Sequence, residues 1–149
     1  MGDHDVGLGT RLRQLLELLD GDLDRVYAET IPGYRARFTP IVKALENGQG
    51  LTIKAIAAKA EVSHSAASQT VSRMLGDGLL QWEVGSDARE RIIRLSDRGR
   101  LLLPALHAQW RRTTFAAREL EDEIGLPLSK SVAEAIRALE ARPFRDRVT

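Results

Sequence analysis

The 149-residue chain contains no cysteine. That excludes thiol nucleophiles, thiolate zinc sites, disulfides and cysteine-based redox sensing. Aromatic residues are scarce, at 5%, so each one marks a place in the fold. Long apolar runs are missing too. The longest, Leu101–Leu106, has six residues with Pro104 inside it, far short of the ~20 needed to span a bilayer. No sign of charge dominates: 22 Lys and Arg stand against 21 Asp and Glu, giving +1. That balance neither demands nor excludes a polyanionic partner. Met1-Gly2-Asp3-His4-Asp5 is acidic and lacks an apolar stretch, so it does not read as a secretory signal. A cytoplasmic protein with no membrane partner is the expectation. What is present is 43% apolar and 29% charged residues, the composition of one globular domain that needs no staple.

Leu8, Leu12, Leu15, Leu16, Leu19, Leu23, Val26 and Tyr27 recur at spacings of three and four, which predicts an amphipathic helix over about 8–29. Ile31-Pro32-Gly33 ends it, because proline and glycine together break a helix. A short helix is expected after Thr39-Pro40, with Thr39 as N-cap, stopping at Asn47-Gly48-Gln49-Gly50. Thr52 then caps a helix carrying Ile53, Ile56, Ala57 and Ala60. Glu61-Val62-Ser63 makes a tight turn, and Ser63 caps a second helix to about Leu75. Two short helices so joined form a helix-turn-helix. Ala67, Val71, Met74 and Leu75 face inward, and Ser65, Ala66, Ser68, Gln69, Ser72 and Arg73 face outward.

The period then changes to two. Leu80, Trp82 and Val84 alternate with Gln81 and Glu83, a turn follows at Gly85-Ser86-Asp87-Ala88, and Arg91–Leu95 is β-branched. This predicts a β-hairpin with a charged tip, and Trp82 on its apolar face is expected in the core. Between residues 51 and 100 there are eight basic and six acidic residues, and five of those basics fall within Arg89–Arg100. Any electrostatic footprint is therefore local. Ser96 caps a further helix whose stripe of Leu102, Leu106, Trp110, Ala117, Leu120 and Ile124 runs past Pro104, where a kink is expected. Ser129 is expected to cap a last helix bearing Val132, Ile136 and Leu139.

A helix-turn-helix followed directly by a hairpin is a winged helix, so the fold class is mainly α (α+β). The terminal helices, 8–30 and 100–145, carry stripes with no evident place in the core of a 34–99 lobe. A second copy of the chain is the expected cover.

Leu51-Thr52, Ile56-Ala57, Val62-Ser63, Val71, Met74, Gly78-Leu79-Leu80, Asp87-Ala88-Arg89, Leu95-Ser96 and Gly99 resemble the register of multiple-antibiotic-resistance-type (MarR) transcriptional regulators. The resemblance covers about residues 34–110 and extends to the ends by helix order. It implies a single MarR-like domain over 1–149, acting as a homodimeric regulator, in the first instance a repressor, on a palindromic operator of double-stranded DNA. It also implies release when a small aromatic or anionic effector binds. The chain departs from the pattern in its recognition helix, which is rich in Ala and Ser, with Arg73 its only fully charged outer residue. The alternative reading is a winged-helix scaffolding module without DNA binding.

The expected DNA contacts are Ser63, His64, Ser65, Ser68, Gln69, Ser72 and Arg73 on the second helix, with Asp87, Arg89 and Arg91 on the hairpin. Gln reads adenine bidentately, Ser contacts are less selective, and an arginine suits a narrow A·T-rich minor groove. Asp87 either holds the Arg89 guanidinium or serves turn chemistry. Tyr34, Arg37, Phe38, His107 and Trp110 are the effector candidates, an aromatic wall with a cation. The competing reading of Phe38 and Trp110 is plain packing. No catalytic residue, cofactor or metal site is expected. Ser63-His64-Ser65 lacks an orienting acid, His4, His64 and His107 have no ligand spacing, and Gly7-Leu8-Gly9 lacks a third glycine.

Overall fold

A computed structural model describes residues 6–148. The acidic stretch 1–5, with His4, and residue 149 lie outside the described residues. The elements run α1 (Leu8–Thr30), a 3-10 turn (Ala36–Phe38), α2 (Thr39–Leu45), α3 (Ile53–Ala60), α4 (His64–Gly76), β1 (Leu80–Val84), β2 (Arg91–Leu95), α5 (Asp97–Ile124), α6 (Leu128–Ala141) and a 3-10 turn (Phe144–Arg147). Two compact units divide the chain, the first ending at Ala105 and the second beginning at Leu106. No described helix is long and apolar enough to cross a membrane.

The first unit holds the core. Phe38, Leu45, Ile56, Ala67, Val71, Met74 and Ile93 are fully buried. Tyr27, Tyr34 and Phe38 stack edge to face, with centroids 4.7 and 5.6 Å apart, a favoured aromatic geometry. Both expected caps of the helix-turn-helix form. Thr52 Oγ1 accepts the Ala55 N–H at 3.1 Å, and Ser63 Oγ accepts the Ala66 N–H at 3.1 Å. Between them the α3 terminus closes with Val62 N–H on the Ala57 carbonyl and Glu61 N–H on that of Ala58. This closure puts Glu61 in the left-handed region at φ 57°, a place more often taken by glycine.

β1 and β2 pair antiparallel, Leu80 opposite Leu95 and Trp82 opposite Ile93. A third segment joins them. Leu51 and Ile93 exchange two backbone hydrogen bonds of 3.0 and 2.8 Å, where the sequence reading saw only a helix lead-in. Ser96 caps α5 as expected, accepting the Gly99 N–H at 3.1 Å while donating to the Gly78 carbonyl at 2.6 Å. α5 is continuous through Pro104.

Three local expectations are corrected. Trp82 is 48% exposed rather than in the core. Only Leu80 of β1 is buried, because the hairpin projects beyond the helices that could cover its outer half. Thr39 is not a cap: the 3-10 turn runs straight into α2, no extended residue precedes the helix, and Thr39 Oγ1 pairs with Tyr34 Oη at 3.0 Å. Nor is Ser129 the cap of α6. That helix begins at Leu128, and the Ser129 N–H goes to Glu121 Oε1 at 2.7 Å. A carboxylate at a helix N-terminus is a charge-assisted acceptor favoured by the dipole. The Ser129 backbone N–H, then its hydroxyl, hold Glu121 below the usual carboxylate range. This support is present above the unfolded-state value and fades as pH falls through the lower folded one.

Gly99 ties the start of α5 to the strand entry. A Cβ there would collide with the Leu79 carbonyl oxygen. Alanine gains ~1 kcal/mol of helix propensity over glycine, but a backbone atom cannot swing aside, and overpacking costs ~1–3 kcal/mol. Gly99→Ala should therefore lower the urea midpoint. A raised midpoint would show that Leu79 and α5 are not in close approach.

Candidate nucleic-acid interface

α4 presents one exposed stripe. Its inner residues Ala67, Val71 and Met74 are fully buried, which turns Ser65, Gln69 and Ser72, at i, i+4 and i+7, outward together. His64 and Ala66 are also exposed, and Ser68 is half-buried. The Ser63 hydroxyl is engaged as the N-cap, so what it offers a ligand is the first turn it organises, with its outward N–H groups.

The hairpin tip lies wholly at the surface. Asp87, Arg89 and Arg91 are exposed. Asp87 Oδ1 accepts the Arg89 backbone N–H at 3.0 Å, and the Asp87 carbonyl accepts from Glu90 N–H at 2.9 Å. The contact between Asp87 and Arg89 is thus through the main chain, an Asx turn that fixes the tip. Among the described residues the Arg89 guanidinium takes part in no ion pair. Arg91 lies over the Trp82 ring, 4.4 Å from its centroid. That cation–π stack explains how an indole stands at the surface of a two-stranded hairpin.

Arg73 is exposed on α4 but also has partners within the chain. Its Nε pairs with Asp77 Oδ2 at 3.3 Å, and it lines a cavity of about 440 Å³ with Asp24, Tyr34, Arg35, Asp77 and Arg98, among others. Arg98 Nη1 donates to the Asp77 carbonyl at 2.7 Å, and Asp24 Oδ1 accepts the Ala36 N–H at 2.8 Å. Three arginines from the α1–α2 loop, α4 and α5 therefore share one concavity within the first unit. The sequence reading missed Arg35 and Arg98, since neither lies in a periodic pattern that marks a pocket.

The effector candidates separate. Phe38 is fully buried and Tyr34 is 3% exposed. Burial pushes the Tyr34 phenol pKa up, so it is a neutral hydrogen-bonding core residue with one edge at the cavity. Arg37 is exposed, 5.9 Å from the Phe38 centroid. In the second unit His107 and Trp110 pack edge to face at 5.4 Å. They line a shallow cavity of about 490 Å³ with Arg111, Thr114, Phe115 and Arg118.

With that geometry in hand, the likeness to solved structures is decisive for the fold. The Mycobacterium tuberculosis transcriptional regulator MosR, solved with DNA, superposes with a TM-score of 0.74 at 21% identity, covering 93% of this chain and 99% of that one. A MarR family regulator from Silicibacter pomeroyi gives 0.65 at 22% identity, covering 91% and 96%. PcaV from Streptomyces coelicolor, solved with its natural ligand, gives 0.64 at 21% identity, covering 91% and 98%. The chain has the MarR-type winged-helix fold. No family model matches the sequence. Among curated proteins, the iron-dependent repressor IdeR of Mycobacterium bovis and Mycobacterium tuberculosis is 42% identical over 82 residues. That match takes in 55% of this chain, which spans about a third (32%) of the length of those relatives. In the MarR-type frame, α4 is the second helix of the helix-turn-helix and β1–β2 the wing.

Proposed function

We propose that the protein is a transcriptional regulator that binds palindromic double-stranded DNA as a homodimer, with α4 in the major groove and the wing in the adjacent minor groove. The observation that carries this reading is the exposed Ser65-Gln69-Ser72 stripe beside a hairpin whose tip offers Arg89, on the fold of a regulator solved with DNA. Repression is the proposed sign, as in the name of the matched curated relatives. Iron dependence is no part of the proposal: among the described residues no three His, Cys, Asp or Glu side chains form a metal-holding group.

The dimer rests on uncovered apolar stripes. In α1, Leu12, Leu16, Leu19 and Val26 are each at least 37% exposed, and in α6, Val132, Ile136 and Leu139 likewise. α6 buries no residue at all within the chain. Apolar surface of that extent calls for a partner, and a second copy supplies two identical stripes around a two-fold axis. Leu16→Glu should shift sedimentation from twice the 16.5 kDa chain mass towards the monomer. An intact chain that already sediments as a stable monomer would remove the basis for the dimer.

A small anionic effector would meet Arg35, Arg73 and Arg98 in the first-unit cavity, offset by Asp24 and Asp77, whereas Phe38 of the set expected from sequence is sealed in the core. Arg73 is on the recognition helix, so a ligand that draws it from Asp77 acts directly on α4. The effector must favour the DNA-free state to shift the equilibrium. Carboxylate ligands should raise the melting temperature of the wild type and not of Arg98→Ala. Equal shifts in both proteins would place the ligand elsewhere.

Selection of duplexes from a random pool tests the main reading. Enriched sites should carry two inverted half-sites with centres about one helical turn, roughly 10–10.5 bp, apart. On such a site Arg89→Ala should cost ~1–3 kcal/mol per half-site and lower the salt slope by about 0.9 for each lost phosphate pairing. Folding should barely change, since an exposed turn residue contributes little. Unchanged affinity and slope would show that the wing does not meet DNA.

A further inference from the structure

A two-stranded hairpin is at best marginally stable on its own. Something must therefore aim the wing relative to α4, and the outer face of the sheet shows what does so. Gln81, Glu83, Ile92 and Arg94 share that face, since Gln81 pairs with Arg94 and Glu83 with Ile92. Arg94 Nε donates to Glu83 Oε1 at 3.0 Å, and its Nη1 donates to the Gly48 carbonyl at 2.8 Å. One guanidinium thus joins β2, β1 and the loop between α2 and α3.

The loop is shaped to receive it. Gly48 sits at φ 83°, a left-handed position that suits glycine. Asn47 Oδ1 accepts the Gln49 N–H at 3.0 Å, which holds the turn. Gly50 then passes under the guanidinium. A Cβ there would lie 2.8 Å from Arg94 Cζ and would collide with Ile92 Cγ2. One residue further on, Leu51 makes its two-bond bridge to Ile93, and Thr52 caps α3. The segment 47–52 therefore connects the wing to the helix-turn-helix without a break.

We propose that Arg94 is a positioning residue for the wing. Seated on Gly50 and joining Glu83 to the Gly48 carbonyl, it sets where Arg89 meets a duplex without touching the duplex itself. The proposal rests on the DNA-binding reading above. Magnitude favours aim over stability. The Arg94–Glu83 pair has side chains 38% and 57% exposed, and pairs so exposed add little to folding. Two of its donors are committed to protein acceptors, on the face opposite the Trp82–Arg91 stack.

The test uses the full chain with Arg94→Ala, Arg94→Lys and Gly50→Ala. Hydrogen exchange over residues 84–91 of the free protein should quicken in Arg94→Ala with the melting temperature nearly unchanged, less so in Arg94→Lys, and quicken in Gly50→Ala with a lowered melting temperature, because the added Cβ displaces Ile92 as well. Affinity for a selected duplex should fall about tenfold in Arg94→Ala, and that loss should vanish when Arg89 is already alanine, since coupled residues are not additive. Unchanged wing exchange overturns the proposal. So does a loss of the same size with or without Arg89, accompanied by a further drop in salt slope of about 0.9, because that is a direct phosphate contact. A wild-type chain that binds no duplex at any salt overturns the DNA-binding reading instead, and quickened exchange in Arg94→Ala would still show that the tie exists.

Discussion

The geometry depends on how the segment 47–52 and β2 hold each other. Leu51 and Ile93 exchange two backbone bonds, and Ile93 is fully buried beside the core of the helix-turn-helix. At the base of the hairpin, the Ser96 hydroxyl on the Gly78 carbonyl and the Leu79–Gly99 approach fix the strands to α5. With the base of the hairpin and the middle of β2 both held, the hairpin tip is aimed relative to the exposed α4 stripe. A recognition helix and a wing that moved independently would lose orientational entropy on binding.

Chemically the two parts differ. The α4 stripe of Ser65, Gln69 and Ser72 carries no charge, and Arg73 is engaged with Asp77. Affinity for a polyanion is dominated by cations, so in the proposed complex the wing arginines and backbone N–H groups supply most of it. In the same proposal Gln69 supplies selectivity at one base pair. Of the wing arginines, Arg94 is committed to Glu83 and Gly48 and Arg91 is stacked on Trp82, which leaves Arg89 as the tip's reaching cation. A chain of net charge +1 can bind this way only if its few useful cations are well aimed.

Much of this was legible in the sequence. The helices, both helix-turn-helix caps, the hairpin and the exposed α4 face follow from periodicity and cap chemistry, which are local. What was not legible is non-local. Trp82 obeys the alternation of a buried strand, yet burial also needs a covering element, and none reaches the outer hairpin. The Ser129 cap fails because a better acceptor, Glu121, arrives from the preceding helix. Arg35, Arg73 and Arg98 are far apart in sequence, and only the fold brings them to one cavity. Gly48 and Gly50 read as a helix stop. Their second use, as the turn and the seat for Arg94, appears only when β2 is laid beside them. For Phe38 the packing reading holds, since it is fully buried; an aromatic next to an arginine looks the same in sequence whether it lines a pocket or fills a core.

The most direct measurement is hydroxyl-radical footprinting of the full chain on a selected duplex. The account predicts, in each half-site, protection of the backbone flanking one major groove and of the adjacent minor groove, repeated about a two-fold axis at the site centre. Protection confined to a single groove in each half-site, or a footprint without two-fold symmetry, would contradict the claim that α4 and the wing are held together to read one duplex.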